Sequence, residues 1–320
     1  MLSAAKVLSE NGYDVDVETD SPELIEKASK RFDLDISSLN AVISVNRGDG
    51  YDACVWLSDG SVPMLRARKN ILHFQRPFQN VDGRSLLNRM KFFRINHIIV
   101  NSEFTKLWID REYPVVSKVV YPPVDIKRFK VHSKEKMVLY VGRFSQLEQK
   151  KRQDVLIDTF KSFSKKVDGW KLVLAGGAEV GAGEEVNKLK EKAKGSNIEF
   201  FVSPGFKKLR ELYGKASVFW SAAGYGVDGN KEPEKLEHFG ITVVEAMAAG
   251  AVPIVYAAGG PKEIVSGGTG ELWRRKNELL KKTVSLVEDK RRLRLLSGNA
   301  RKHAQKYSYE EFEKSFLSTV

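Results

Sequence analysis

Short apolar runs separated by polar, helix-periodic stretches recur along the whole chain. In the first part YDVDVET, AVISV, ACVWL, ILHF, HIIVNS and KVVYPP have the length and β-branched content of strands, and Lys6 to Asn11 closes a helix ahead of Gly12. From Met137 onward MVLYVGR, KLVLAGG, IEFFV, ASVFWS and VPIVYA follow, each leading into a helical or loop stretch. Strands that alternate with helices predict parallel sheets built from βα units. Pro122 and Pro123 break this pattern, and Asp125 to Glu135 is charged and poorly periodic. The break predicts an N-terminal α/β domain over 1–125 and a C-terminal one over 126–320, the length expected of two cores in 320 residues. Ligands of open parallel sheets sit beyond the carboxyl ends of the strands, so a cleft between two such domains is the place expected for a site.

Charge sharpens that picture. Residues 1–125 hold 16 Lys and Arg against 17 Asp and Glu, whereas the remainder holds 37 against 24, so the net charge of +12 belongs to the second part. Such a field attracts polyanions: a nucleotide diphosphate, nucleic acid or an anionic membrane. Nucleic acid is not expected, because no zinc-finger or RRM-like aromatic signature accompanies the charge. The single Cys54 excludes an intramolecular disulfide framework and gives no zinc site.

The start, MLSAAKVLSENGYD, lacks the basic and apolar regions of a signal peptide, and a cytoplasmic location is expected. Ile241 to Gly260 is long enough to span a bilayer, but Glu245, Pro253 and its glycines fit a helix, a turn and a buried strand better. GGAEVGAGEE lacks the Gly-Lys-Ser/Thr sequel of a P-loop. The triplets DVD and DLD are common by chance, and no metal site is expected from them. GRSLLNRMKFFR mixes apolar and basic residues as an anionic-lipid surface does, and residues 61–100 hold eight Lys and Arg against Asp82 alone. The favoured alternative is a helix packed inward through Leu86, Leu87, Met90 and Phe93 with its arginines in water. If the lipid reading holds, contact is peripheral, at the inner membrane face.

YPPVD, VLYVGR, KRQDVLI, EHFGITVVEAMAAG and GGPKEIVSGGTGELW stand in an order and spacing that resembles the family 4 (group 1) retaining glycosyltransferases. NSEFT and LHFQRP extend the resemblance into the first part. It implies a GT-B fold of two Rossmann-like domains and metal-independent transfer of a hexose, mannose or glucose, from a GDP- or UDP-linked donor to a glycan or lipid-linked acceptor. The nucleotide sugar is then a substrate, and no cofactor is expected. The family opens with a strand and a glycine-rich loop, whereas Met1 here falls inside the first helix, so the first sheet is expected to lack its usual first strand.

A departing diphosphate needs fixed cations. Arg143 ends a buried strand, where a ligand-facing side chain or an ordinary salt bridge is equally at home, and the resemblance favours the ligand. It also calls for a lysine soon after, for which Lys151 aligns better than Lys150. Glu245 fits a capping box with Thr242 by local pattern, whereas the resemblance gives it the ribose hydroxyls. Glu237 is plain loop solvation or, by resemblance, the grip on the transferred hexose. After it, Phe239 and Gly240 can bring backbone N–H groups close to the donor, and the resemblance adds Ile241, Thr242, Gly142 and Lys150 as donor-binding candidates. His73, a structural histidine by local reading, is by resemblance placed to orient donor or acceptor. A sugar-nucleotide epimerase and a noncatalytic nucleotide-sugar binder share these expectations.

Overall fold

A computed structural model describes residues 1–32, 34–145, 149, 151–178 and 181–320, the side chains of 30–32 excepted. The chain forms two units, one of Met1–Pro123 with Tyr309–Val320 and one of Val124–Ser308. From sequence the C-terminal helix near HAQKYSYEEFEKSF, within the 126–320 domain, is expected by the family resemblance to cross back to the first domain; in the fold, segment 309–320 groups with the first unit.

The first unit contains a two-stranded parallel pair, β1 (Asp16–Glu18) and β2 (Asn40–Val42), and a four-stranded parallel sheet. The sheet runs β3 (Ala53–Leu57), β4 (Lys69–Phe74), β5 (His97–Val100) and β6 (Lys118–Val119) in simple order. Successive residues of β4 face opposite ways. Ile71 packs with Val7, Phe312 and Phe316 of the helices Leu2–Glu10 and Tyr309–Leu317, while Leu72 and Phe74 pack with Val100, Ile109 and Tyr113. Both faces are covered, which is why the strand reads as one apolar run. Asp16 of the DVD triplet accepts hydrogen bonds from the Tyr51 hydroxyl at 2.5 Å and Asn40 Nδ2 at 3.2 Å; Asp33 of DLD lies outside the described residues.

The helix Leu86–Phe92 corrects an expectation. None of its residues is buried, and Leu86, Leu87, Met90 and Phe93 are 74%, 62%, 58% and 89% exposed. It attaches through Phe92, whose ring meets Tyr113 edge-on at 5.9 Å. The stripe seen in the sequence is real, but it faces outward.

In the second unit six parallel strands, β7 (Glu135–Val141), β8 (Lys171–Gly176), β9 (Ile198–Val202), β10 (Ala216–Ser221), β11 (Val252–Tyr256) and β12 (Glu271–Trp273), lie in the order β12-β11-β10-β7-β8-β9. The chain builds outward from β7 to one side, then returns to β10 and builds outward to the other. That is the dinucleotide-fold order, and the reversal between β7 and β10 opens a crevice at their carboxyl ends. β12 is a strand that the apolar runs of the sequence did not disclose.

Phe160, Phe163, Trp170 and Trp220 form the aromatic centre of this unit's core, with ring centroids 5.8 to 6.4 Å apart. Trp220 Nε1 donates to Thr283 Oγ1 at 3.0 Å, so the buried indole is satisfied. Phe160 is wholly buried; Phe160→Ala is expected to cost about 3–5 kcal/mol, read as a lowered denaturation midpoint in urea.

Candidate active site

The reversal places Gly142 and Arg143 directly after β7. Gly142 N–H donates to Ala175 O at 3.0 Å and Phe144 N–H to Gly177 O at 2.8 Å, so the ends of β7 and β8 stay paired past the last strand residue. The approach leaves no room for side chains: a Cβ on Gly176 would lie 2.0 Å from Gly142 O, and one on Gly142 would lie 2.2 Å from the Tyr140 hydroxyl. Arg143 is exposed, and its carbonyl accepts from Gln153 Nε2 at 2.8 Å, which ties it to the helix Gln153–Phe163.

Lys151, 8% exposed, donates to Glu237 Oε2 at 2.5 Å and to Gln149 Oε1 at 3.1 Å. The sequence pointed to these two as separate candidates; the fold makes them an ion pair. Lys150 lies outside the described residues. Glu237 is fixed from behind by its backbone: its carbonyl accepts from Gly260 N–H at 2.8 Å, and a Cβ on Gly259 would stand 2.2 Å from that oxygen. The glycines of GGPKEIV are thus a platform under the Glu237 loop. Next to it His238 Nε2 lies 3.1 Å from Gln149 Nε2 and 3.0 Å from Glu234 O.

Phe239 is buried, its ring edge-on to Tyr307 at 5.5 Å, and so presents backbone rather than side chain. Gly240, at φ 110, is the N-cap of the helix Ile241–Ala248 and makes no side-chain cap. The expected capping box is therefore absent. With glycine as cap, Thr242 becomes the second helical residue and Glu245 falls in the second turn, too far along to bond back. The first-turn N–H groups carry the positive end of the helix dipole.

Glu245 instead accepts from the Tyr213 hydroxyl at 2.6 Å. Tyr213 is fully buried, edge-on to Phe129 at 5.4 Å and stacked on Phe219 at 6.2 Å. Burial pushes the Glu245 carboxyl up to about 7, against the opposing pull of the tyrosine hydrogen bond. Tyr140 also belongs here: its hydroxyl is buried without a hydrogen-bond partner among the described residues, and the nearby Glu237 carboxylate adds to burial in holding it protonated. Period-two spacing, which puts Tyr140 and Gly142 on one side of β7, was the available signal for it. Nothing near Tyr213 in the sequence points to Glu245.

His73 stands on β4 of the first unit, apart from this set in the chain's division. Its Nε2 is buried with no partner among the described residues, and burial lowers its pKa to about 3. The imidazole is neutral throughout the physiological range.

A family model for group 1 glycosyl transferases matches residues 123–308, more than half of the chain. The chain belongs to the group 1 glycosyltransferases. A human relative named GDP-Man:Man(3)GlcNAc(2)-PP-Dol alpha-1,2-mannosyltransferase is 30% identical over 250 residues, covering 70% of this chain and 48% of its own. The chain spans about half the length of the first curated relatives it matches. Among solved structures, a glycosyltransferase from Rickettsia africae superposes with a TM-score of 0.75 at 15% identity, over 99% of this chain and 92% of its own. Anabaena HepE, crystallised with UDP and glucose, superposes at 0.71 and 16% identity, over 99% and 94%. These similarities show the fold to be GT-B.

The raised Glu245 pKa has a sign in this glycosyltransferase. An acid that holds its proton more tightly folded than unfolded contributes full stability below the unfolded value near 4.5 and loses it as pH rises to about 7. Melting temperatures of the wild type measured against Glu245→Gln are expected to diverge across that window, with the glutamine variant the more stable at pH 8. Parallel curves would remove the buried-carboxyl assignment.

Proposed function

We propose that this chain transfers a hexose, mannose or glucose, from a GDP- or UDP-linked donor to a glycan or lipid-linked acceptor with retention of anomeric configuration. The observation that carries the reading is the Lys151–Glu237 ion pair just ahead of the helix Ile241–Ala248, in the unit whose strand order reverses between β7 and β10, with both Glu237 and Arg143 close enough to act on the buried Tyr140 hydroxyl. The relatives, a GDP-mannose-dependent transferase named for a dolichol-linked glycan and a HepE crystallised with UDP and glucose, support the donor and acceptor classes.

The diphosphate sits against the exposed Arg143 and the first-turn amides of the Ile241–Ala248 helix, with Lys151 reaching it from its place beside Glu237. Glu237 accepts hydrogen bonds from hexose hydroxyls. The Glu245 oxygen not bonded to Tyr213 accepts from the ribose. As the bond from the anomeric carbon to the phosphate oxygen breaks, its electron pair stays on the diphosphate, where the two cations offset the growing charge. The acceptor hydroxyl attacks the face that the diphosphate leaves, and its proton passes to the freed phosphate oxygen. No metal is needed in this scheme. His73, neutral and with its buried Nε2 unpartnered among the described residues, is the candidate for orienting donor or acceptor.

Thermal-shift titration with GDP-mannose and UDP-glucose is expected to raise the melting temperature, since donor at a hundred times its Kd stabilises by about 2.7 kcal/mol. Arg143→Ala is expected to lower kcat about 10²–10³-fold with a lipid-linked oligosaccharide acceptor. Donor consumed at the same rate without any acceptor would instead identify an epimerase, and a shift without turnover would identify a binding protein. No shift with any nucleotide sugar would end the reading.

A further inference from the structure

The helix Leu86–Phe92 carries its apolar side outward. Residues of a helix advance by about 100° each, which gathers Leu86, Met90, Phe93 and Leu87 into about 120° of arc. Arg89 borders this stripe on one side and Lys91 on the other, while Phe92 points the opposite way, into the unit. Phe93 keeps helical backbone (φ -61, ψ -21) and so continues the stripe past the last turn. Arg89 and Arg94 are exposed, and among the described residues neither is drawn into an ion pair with a carboxylate. Arg84, just before the helix, is used differently: its guanidinium donates to the carbonyls of Asp110, Arg111 and Tyr113.

The patch extends beyond the helix. Lys91 also lines a pocket with Arg47, Trp56, Leu57 and Met64, of which Leu57 and Met64 are 44% and 40% exposed. Asp59, the acid in that pocket, is engaged by Ser61, whose backbone N–H and hydroxyl donate to it at 3.0 and 2.7 Å. A core helix hides its apolar stripe, and a solvated one has none. A large apolar stripe bordered by cations matches an interface that is greasy beneath and anionic above, whereas a protein groove would have to place carboxylates along both of its rims to match it.

We propose that the Leu86–Phe92 helix, with Phe93 and Arg94, is a membrane-docking surface that lies in the headgroup region of an anionic bilayer. Leu86, Leu87, Met90 and Phe93 enter the acyl boundary, and Arg89, Lys91 and Arg94 meet lipid phosphates. The inference uses no donor and no catalytic residue, so it can fail while the transfer reading stands, and the reverse.

Flotation of the full chain with vesicles of phosphatidylcholine alone, or with phosphatidylserine added, tests it. Binding is expected to the anionic vesicles, to weaken with salt, and to be much weaker on the neutral ones. Combining Leu87→Ser, Met90→Ser and Phe93→Ser should lower the partition constant about a hundredfold. Arg89→Glu with Arg94→Glu should lower it at least about tenfold. The changed side chains are exposed, so melting curves should match the wild type; should the triple variant melt early, Phe93→Ser alone serves in its place. Equal binding to neutral and anionic vesicles, or variants that bind as the wild type does, overturns the proposal. So does a chain that ignores vesicles but dimerises in light scattering until the serine variant separates it, which would assign the face to a second copy.

Discussion

Two glycines hold the ends of β7 and β8 closer than any side chain permits, with Gly142 O in the space that a Cβ on Gly176 would fill. This contact sits at one wall of the gap where strand order reverses. Because β7 is the first strand laid down and β10 departs on its other side, no helix covers the carboxyl ends of both, and the crevice follows from connectivity alone. Gly142 and Gly176 then decide how the backbone leaves that crevice, and Arg143 is the first residue able to put a side chain there. The same device recurs across the gap, where Gly259 and Gly260 press against the Glu237 and Phe239 backbone. Both walls are thus shaped by backbone against backbone, which fixes position more firmly than a mobile side chain could.

The helix Ile241–Ala248 adds a field to this shape. Its start follows Glu237 by four residues, and its other end is held by Lys134, whose Nζ donates to Ala249 O and to Ala216 O, each at 2.7 Å. A cation on the last carbonyls satisfies groups that would otherwise be stranded, and its sign suits the negative end of the dipole. Burial brings Lys134 down to about 7, so that support is strongest in the lower part of the physiological range. Glu245 lies in the second turn of the same helix, also titrating near 7 but for the opposite electrostatic reason: there burial disfavours the carboxylate rather than the ammonium. Two half-buried groups, Glu245 on the helix and Lys134 against the carbonyl at its end, therefore change charge close to neutrality.

Much of this fold is legible in the sequence. Eleven of the strands were marked by apolar or alternating runs, and those covered on both faces, such as β7 and β8, left long uninterrupted signals like MVLYVGR. β12, Glu271–Trp273, opens on a charge and stands between Gly270 and Arg274-Arg275, so only Leu272 and Trp273 are apolar and no run marks it. The capping box failed for a tertiary reason: Gly240 takes the cap at φ 110 with Pro261 close against it, and no local pattern reveals that neighbour. The Leu86–Phe93 stripe shows the other limit. Periodicity tells which residues share a face of a helix, but a stripe that meets a core and one that meets water or lipid have the same spacing. Tyr213 and Glu245, 32 positions apart, share a hydrogen bond that only the folded chain brings about.

The Lys151–Glu237 pair joins structure to chemistry most directly. An ammonium with only a tenth of its side chain exposed is costly without a counter-charge, and breaking such a pair on one side is worse than never having it. Glu237, a quarter exposed, faces less of that cost and more solvent. The pair is therefore asymmetric: the lysine depends on the carboxylate, whereas the carboxylate retains surface for other partners. A second anion brought to Lys151 relieves that dependence, because the ammonium has three protons and the carboxylate occupies one. Gln149 takes another through Oε1, which leaves one N–H direction for an incoming phosphate oxygen. Glu237 thus holds the Lys151 ammonium in one place, and in the proposed reaction its other oxygen serves the hexose hydroxyls while the lysine meets the phosphate. The two side chains act as one preorganised unit.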